Sequence, residues 1–380
     1  MAPLATYHRK RPQQSCAGKV IEVCLIETEG TADLPYFLQW IRLAQVRKGI
    51  LILANVPGYE PHSLEILQEI KTRGIDVIHV DFPAGQGNLV GAISAKNAFP
   101  LPATDLITTF AHTATGRKIF HIGHHSRHDY AGLRHDARFR SVVTRLGFDT
   151  IACSDRDRPA LEGGDYLLVG DHLFIGRRTD EAFAPNAAQR IREYYDLCDI
   201  LHIHTVGVTD PSPTAGLYHL DLYFTYAGMD TSGVHRFMVG YIDDTSIGDP
   251  LIPAMSAELD TFREHIAATL YECFGDKYIL IPVPIIVCDI YRISPLNGIV
   301  DYINGTTKYY FPWPKFINAA AHPEYNTHHR ITTSVQKAFD IISSVLGTGN
   351  VIRFDFPISY AAGSGQSLHC TMAVIGRASP

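Results

Sequence analysis

Apolar positions along the chain follow two alternating patterns. Short runs, Val20–Ile26, Ile50–Ala54, Val77–Phe82, Tyr166–Val169, Leu173–Ile175, Leu220–Tyr226, Tyr278–Val283 and Thr371–Ile375, have the length and composition of buried strands. Between some of them the spacing changes to threes and fours. In Leu64–Arg73 the residues Leu64, Ile66, Leu67 and Ile70 gather on one side, and Ala257–Phe274 and Thr333–Leu346 extend the same pattern, so helices are expected there. The chain therefore reads as α/β. A helix, a glycine and a strand recur in that order: Leu64–Arg73, Gly74, Ile75–Val80; Phe139–Leu146, Gly147, Phe148–Ala152; and Thr333–Leu346, Gly347 and Gly349, Val351–Phe356. Glycine fills the position after a helix where the backbone turns left-handed. This recurrence predicts a fold assembled from similar modules. No charge block or low-complexity linker divides the chain, and the stretches Pro282–Pro284 and Tyr309–Pro314 read as loops between elements. The expected organisation is a flexible segment over residues 1–18 and a single domain over residues 19–380.

Composition narrows the classes. With 380 residues, 46% hydrophobic and 19% charged, and a mean hydropathy of zero, the chain is that of a soluble globular protein and not a disordered one. Its longest apolar run, Tyr278–Cys288, is about half a bilayer span and is broken by Pro282 and Pro284, so no membrane association is expected. Met1–Gly18 carries His8, Arg9, Lys10 and Arg11 without an apolar stretch behind them, which points to the cytoplasm. A net charge of −6 gives no electrostatic footprint for nucleic acid. The seven cysteines, Cys16, Cys24, Cys153, Cys198, Cys273, Cys288 and Cys370, show no CxxC spacing, which argues against a disulfide framework and against a cysteine-ligated zinc.

Several local constellations carry polar chemistry. Leu161-Glu162-Gly163-Gly164-Asp165 precedes the runs Tyr166–Val169 and Leu173–Ile175, as a glycine turn leading into a hairpin with Glu162 and Asp165 pointing off it. Turn-forming acids on a surface hairpin would read the same way. In Tyr218-His219-Leu220-Asp221-Leu222-Tyr223-Phe224, a strand would place His219 and Asp221 on one face and Leu220 and Leu222 in the core. Such a pair suits acid–base work, and equally a histidine satisfied by a neighbouring acid. The loop Gly363–Leu368 ends in His369-Cys370 before an apolar strand, a setting that can stabilise a thiolate or simply bury a thiol. Histidines cluster at His121, His124, His125 and His128 and again at His202-Ile203-His204. An HxH pair on a strand shares a face and could ligate zinc, but no HExxH accompanies it, so neither a metal nor another cofactor is expected. Gly85-Gln86-Gly87 with Gly91 has GxGxxxG spacing, not the dinucleotide fingerprint, and no GxxxxGK[ST] occurs.

In this order, Leu-Glu-Gly-Gly-Asp, His-Leu-Asp-Leu-Tyr-Phe and a glycine-containing loop ending His-Cys-Thr, the chain resembles the guanidino-group-modifying, or pentein, superfamily from about Asp105 to the C-terminus. Arginine deiminase, dimethylarginine dimethylaminohydrolase, agmatine deiminase and the amidinotransferases belong to it. The resemblance implies a five-module α/β propeller with pseudo-fivefold symmetry and a site in its central channel. It also implies roles: Cys370 as nucleophile, His219 as general acid and base, Glu162 as the carboxylate orienting His219, and Asp221 as a guanidinium clamp. Asp105, in Pro102–Thr108, matches the second clamp, although Thr104 stands where the family carries Arg or Glu. Asp165 falls among the substrate-binding positions. Gly176-Arg177-Arg178-Thr179 is similar to the segment whose Arg holds an amino acid's α-carboxylate, which implies that role for Arg178 with Arg127 as its partner. The spacing from Gly176 is two residues shorter than the family's.

Guanidine chemistry asks for these residue types independently. A guanidinium carbon is deactivated by resonance, so a thiolate is the nucleophile suited to it near neutral pH. Two carboxylates orient the flat cation, and a histidine protonates the departing amine and then activates water. Glu-Gly-Gly-Asp is similar to the hydrolases of the family, whereas His369-Cys370 is similar to agmatine deiminases and amidinotransferases. The expected activity is hydrolysis of arginine or a derivative to a citrulline-type product plus ammonia or an alkylamine. Arginine:amine amidinotransfer on the same residues is the alternative, and a non-catalytic propeller binding protein is the third. The partner implied is a small guanidino compound, with homo-oligomerisation open; Tyr309–Trp313 reads as an interface or a lid.

Overall fold

The computed structural model describes residues 10–12, 20–28, 50–55, 64–74, 76–81, 107–112, 115, 117–122, 137–145, 147–153, 161, 163–197, 201–208, 217, 219–288, 291–303, 306–315, 325–357 and 372–377. The N-terminal elements are β1 (Lys10–Pro12), β2 (Val20–Thr28), β3 (Ile50–Asn55), α1 (Leu64–Thr72) and β4 (Asp76–Asp81). They are followed by β5 (Ile107–His112), β6 (Lys118–Ile122), α2 (Ala137–Arg145) and β7 (Phe148–Cys153). Next come β8 (Tyr166–Val169), β9 (His172–Ile175), α3 (Arg177–Phe183), α4 (Ala187–Tyr195) and β10 (His202–Thr205). A fourth group holds β11 (Phe224–Met229), β12 (His235–Ile242), α5 (Ile252–Phe274), β13 (Tyr278–Cys288) and β14 (Tyr291–Ile293). The chain closes with β15 (Ile299–Ile303), β16 (Thr306–Lys315), α6 (Tyr325–Leu346), β17 (Val351–Pro357) and β18 (Met372–Arg377).

The described strands form five sheets. Four share one plan: an antiparallel hairpin, a helical crossover and a third strand parallel to the second. These are β5-β6-α2-β7, β8-β9-α3-α4-β10, β11-β12-α5-β13 and β15-β16-α6-β17. A parallel return needs such a crossover, which is why each helix sits where it does. The fifth sheet joins the two ends of the chain, with β18 antiparallel to β2, and β3 and β4 following in parallel. Within residues 1–18, expected to be flexible, Lys10–Pro12 pairs with β5. No helix among the described residues is long and apolar enough to cross a membrane.

The expected glycine punctuation is present, with Gly74, Gly147 and Gly347 at φ of +62°, +83° and +88° behind α1, α2 and α6. Gly275 (φ +60°) does the same behind α5, while α4 ends on Asp196 at φ +52°.

Two stretches expected as loops lie inside strands. Pro282 and Pro284 belong to β13, and Pro312 and Pro314 to β16. In β13 the carbonyls of Ile285 and Val287 accept bonds on the β12 side, from Asp243 and Ile247. Even-numbered residues therefore turn their N–H away from β12, and β14 pairs only from Ile286 onward. Both prolines thus occupy positions where no ladder bond is asked of them. Pro312 and Pro314 likewise lie beyond Tyr310, the last residue of β16 paired with β15. Nor is Tyr309–Trp313 an interface or a lid: Tyr309, Phe311 and Trp313 are buried core residues.

The main core gathers β11–β13, β15–β17, α5 and α6, with Phe174 and Val169 from the preceding sheet. Residues 283 and 285–288 of β13 are fully buried, because α5 and α6 both pack on this strand. Burial on both faces explains why β13 reads as a continuous apolar run and not as an alternation.

Candidate functional site

Two short 3-10 turns, Gly163–Asp165 and Leu220–Leu222, each lead into the first strand of a module, β8 and β11. They pack against each other. Asp165, fully buried, joins them: its Oδ1 accepts the Leu220 N–H at 3.2 Å, and its Oδ2 accepts the Thr179 N–H at 2.6 Å. Thr179 is the third residue of α3, so Asp165 supplies from a distance what an N-cap side chain supplies locally. The Gly176 N–H donates to the Asp165 carbonyl at 2.7 Å, completing a clasp around this residue. A third module entry extends the series. The Ser294 hydroxyl donates to the Leu222 carbonyl at 2.5 Å, and the Thr225 hydroxyl to the Leu296 carbonyl at 3.0 Å. The entries to β8, β11 and β15 are thus linked one to the next.

His219 is 1% exposed and Asp221 7% exposed, so neither is a surface group. The expectation that they share a strand face is corrected. His219 has extended backbone and starts a 3-10 turn, closed by bonds from Leu222 N–H to the His219 carbonyl and from Tyr223 N–H to the Leu220 carbonyl, both 3.1 Å. At three residues per turn, positions two apart do not lie on one face. Leu220, Asp221 and Leu222 are all buried, and the strand begins at Phe224. Asp165 also departs from its expected outward position on a hairpin, since two backbone amides hold its carboxylate inside.

Two tyrosines escaped the sequence reading. Burial pushes both phenol groups well above their ordinary range, reinforced at Tyr223 by Asp165 and Asp221 and at Tyr309 by Asp221. Each is a neutral hydrogen-bonding prop. Tyr223 Oη accepts the Val208 N–H at 3.4 Å, and Tyr309 Oη donates to the Pro295 carbonyl at 2.6 Å while accepting the Gly298 N–H at 3.1 Å. In the sequence Tyr223 stands beside Asp221 and Tyr309 in an aromatic stretch that reads as a loop, and neither signal separates a prop from a core ring. Arg178 is the second residue of α3, directly before the capped Thr179, and is half-buried. Glu162, Cys370, Asp105 and Arg127 lie outside the described residues, as do His124, His125 and His128.

The HxH pair does lie on a strand, β10, paired with β9. The rings of His202 and His204 both stack on His172, with centroids 5.4 and 5.2 Å away. Burial, then His172 and His202, lower the His204 pKa to about 4, while burial and Glu272 raise the Cys273 thiol to about 11. A raised thiol disfavours the thiolate that a nucleophile requires. His121 is a buried ring packed edge-on against Phe110 and Tyr195.

No protein-family model matches the chain. No curated protein matches it by sequence either. Solved structures do. The agmatine deiminase of C. jejuni superposes with a TM-score of 0.55 at 12% identity, covering 98% of each chain. The amidinotransferase SxtG of the saxitoxin pathway in Microseira wollei gives 0.43 at 8% identity over 97% of each chain. The first of the two carries the fold assignment. Five small sheets among the described residues, four of them on one repeated plan and the fifth pairing β18 with β2, together with the superposition over 98% of the chain, give this chain the pentein fold of that deiminase.

Proposed function

We propose that the chain is a cysteine-dependent hydrolase acting on the guanidinium carbon of arginine or an arginine derivative. The observation behind this reading is the buried turn carrying His219 and Asp221, held at a module entry by Asp165 inside a pentein fold. In this reading the Cys370 thiolate forms a C–S bond to the guanidinium carbon. The C–N bond to the leaving amine then breaks as His219 supplies a proton. Water next gives its proton to His219 and its oxygen to the carbon, the C–S bond breaks, and a ureido product leaves with the thiolate restored. Asp221 and Asp105 clamp the cation, Glu162 orients His219, and Arg178 with Arg127 pairs a substrate carboxylate. Asp165 acts here as a positioning residue, because its oxygens bond Thr179 and Leu220 amides.

The test is turnover of arginine, N-methylated arginines and agmatine by wild type and Cys370→Ala, following ureido product and ammonia, with glycine or ornithine added in a parallel arm. Ureido product from wild type, absent with Cys370→Ala, is expected. An acceptor-dependent new guanidino compound would replace this reading by amidinotransfer, and no turnover in any arm would replace it by a binding role.

A further inference from the structure

Where β9 and β10 meet the last turn of α5, three ligand-type atoms converge. His172 Nδ1 and His204 Nε2 are 3.0 Å apart, Cys273 Sγ is 3.5 Å from His204 Nε2, and all three lie within 4.8 Å of one another. His204 Nε2 has a single donor or acceptor site, yet it faces both of the other atoms. One ordinary hydrogen bond cannot serve both contacts, whereas a cation between the three atoms uses a lone pair from each. With zinc–nitrogen bonds of about 2.0–2.1 Å and zinc–sulfur bonds of about 2.3 Å, tetrahedral ligand atoms stand about 3.3–3.6 Å apart. The two observed separations are within a few tenths of an ångström of that. The rings are already walled in: His202 stacks on His172, Phe274 meets His172 edge-on at 5.1 Å, and Phe174 stacks on His204 at 5.3 Å.

We propose that His172, His204 and Cys273 form a zinc site that staples the C-terminal end of α5 to the neighbouring β8–β10 sheet. Two imidazoles and a thiolate suit zinc and exclude magnesium and calcium, which take oxygen ligands. On binding, the Cys273 thiol releases its proton to solvent, and its sulfur lone pair becomes the metal bond. The imidazoles bind neutral, His172 through Nδ1 and His204 through Nε2, each keeping its proton on the other nitrogen, and nothing is oxidised or reduced. All three side chains are only partly buried, which leaves the fourth position to water.

The test uses full-length Cys370→Ala protein, so that the proposed nucleophile cannot hold metal, stripped with chelator and titrated with Zn2+ and with Co2+. The expected result is about one equivalent bound, a thiolate-to-cobalt charge-transfer band, and a Tm raised by about 3 °C at metal concentrations near 100 times Kd. Cys273→Ser and His204→Gln, added singly, each weaken binding by at least about tenfold, and the charge-transfer band disappears in Cys273→Ser. Circular dichroism of the metal-free variants controls for folding. Absence of stoichiometric uptake, or uptake that survives undiminished in both variants, overturns the site. Substrate turnover does not enter this measurement, so the hydrolase reading stands or falls separately.

Discussion

Gly176 has no room for a side chain: a Cβ there would stand 1.8 Å from Asp165 Oδ1, although its φ of −78° suits any residue. Its requirement is space and not backbone freedom. Gly176→Ala should push the Asp165 carboxylate off the Thr179 and Leu220 amides, costing about 2 kcal/mol or more in urea denaturation. Asp165→Asn puts a donor in place of one acceptor oxygen, opposite a backbone N–H. The expected loss is about 2–3 kcal/mol, with turnover falling through displaced His219 while Cys370→Ala removes turnover without loss of stability. Urea melts beside kinetic assays on the three variants separate positioning from chemistry.

At the scale of elements, Asp196 occupies the position that glycine fills behind α1, α2, α5 and α6, in the left-handed region at φ +52°. Asp196→Gly removes that conformational cost, so a stabilisation of about 0.5–1 kcal/mol is expected in thermal or urea melts. The same comparison shows what could be read in advance. Helix, glycine and strand were legible around Gly74, Gly147 and Gly347 because they rest on local periodicity and local φ. The module at β8–β10 was less so, because its helix ends on aspartate and its crossover is split into α3 and α4. The prolines of β13 and β16 misled because their tolerance depends on which edge of the strand lacks a partner, a tertiary fact. At the candidate site, His219, Asp221 and Asp165 stand out in the sequence as polar positions beside apolar ones. Their burial and the 3-10 turns do not, since alternating Leu and polar residues fit a strand equally well. The bond from Leu220 to Asp165 spans 55 positions and leaves no trace in either segment.

Neighbouring modules are tied by polar groups as well as by the core. Asp243, at the end of β12, has no exposed side-chain surface and accepts bonds from Ser334 and Lys337 of α6, in the next module, and from Thr245. Burial alone would raise its carboxyl, but the Ser334, Thr245 and Lys337 bonds prevail and hold it near 2. The folded pKa thus lies below the ordinary 3.8, so on acidification the unfolded chain takes up the proton first. This contribution is present above about pH 4 and is lost as pH falls toward 2. Asp243→Asn should lower Tm at neutral pH and flatten the decline of Tm between pH 4 and 2, as followed by calorimetry. The sheet shared by β2 and β18 bears on synthesis. β2 leaves the ribosome roughly 340 residues before its antiparallel neighbour, an interval of roughly 20–70 s at ordinary elongation rates. Throughout it the nascent chain carries the edge of β2 that β18 later covers, open to aggregation and to chaperones.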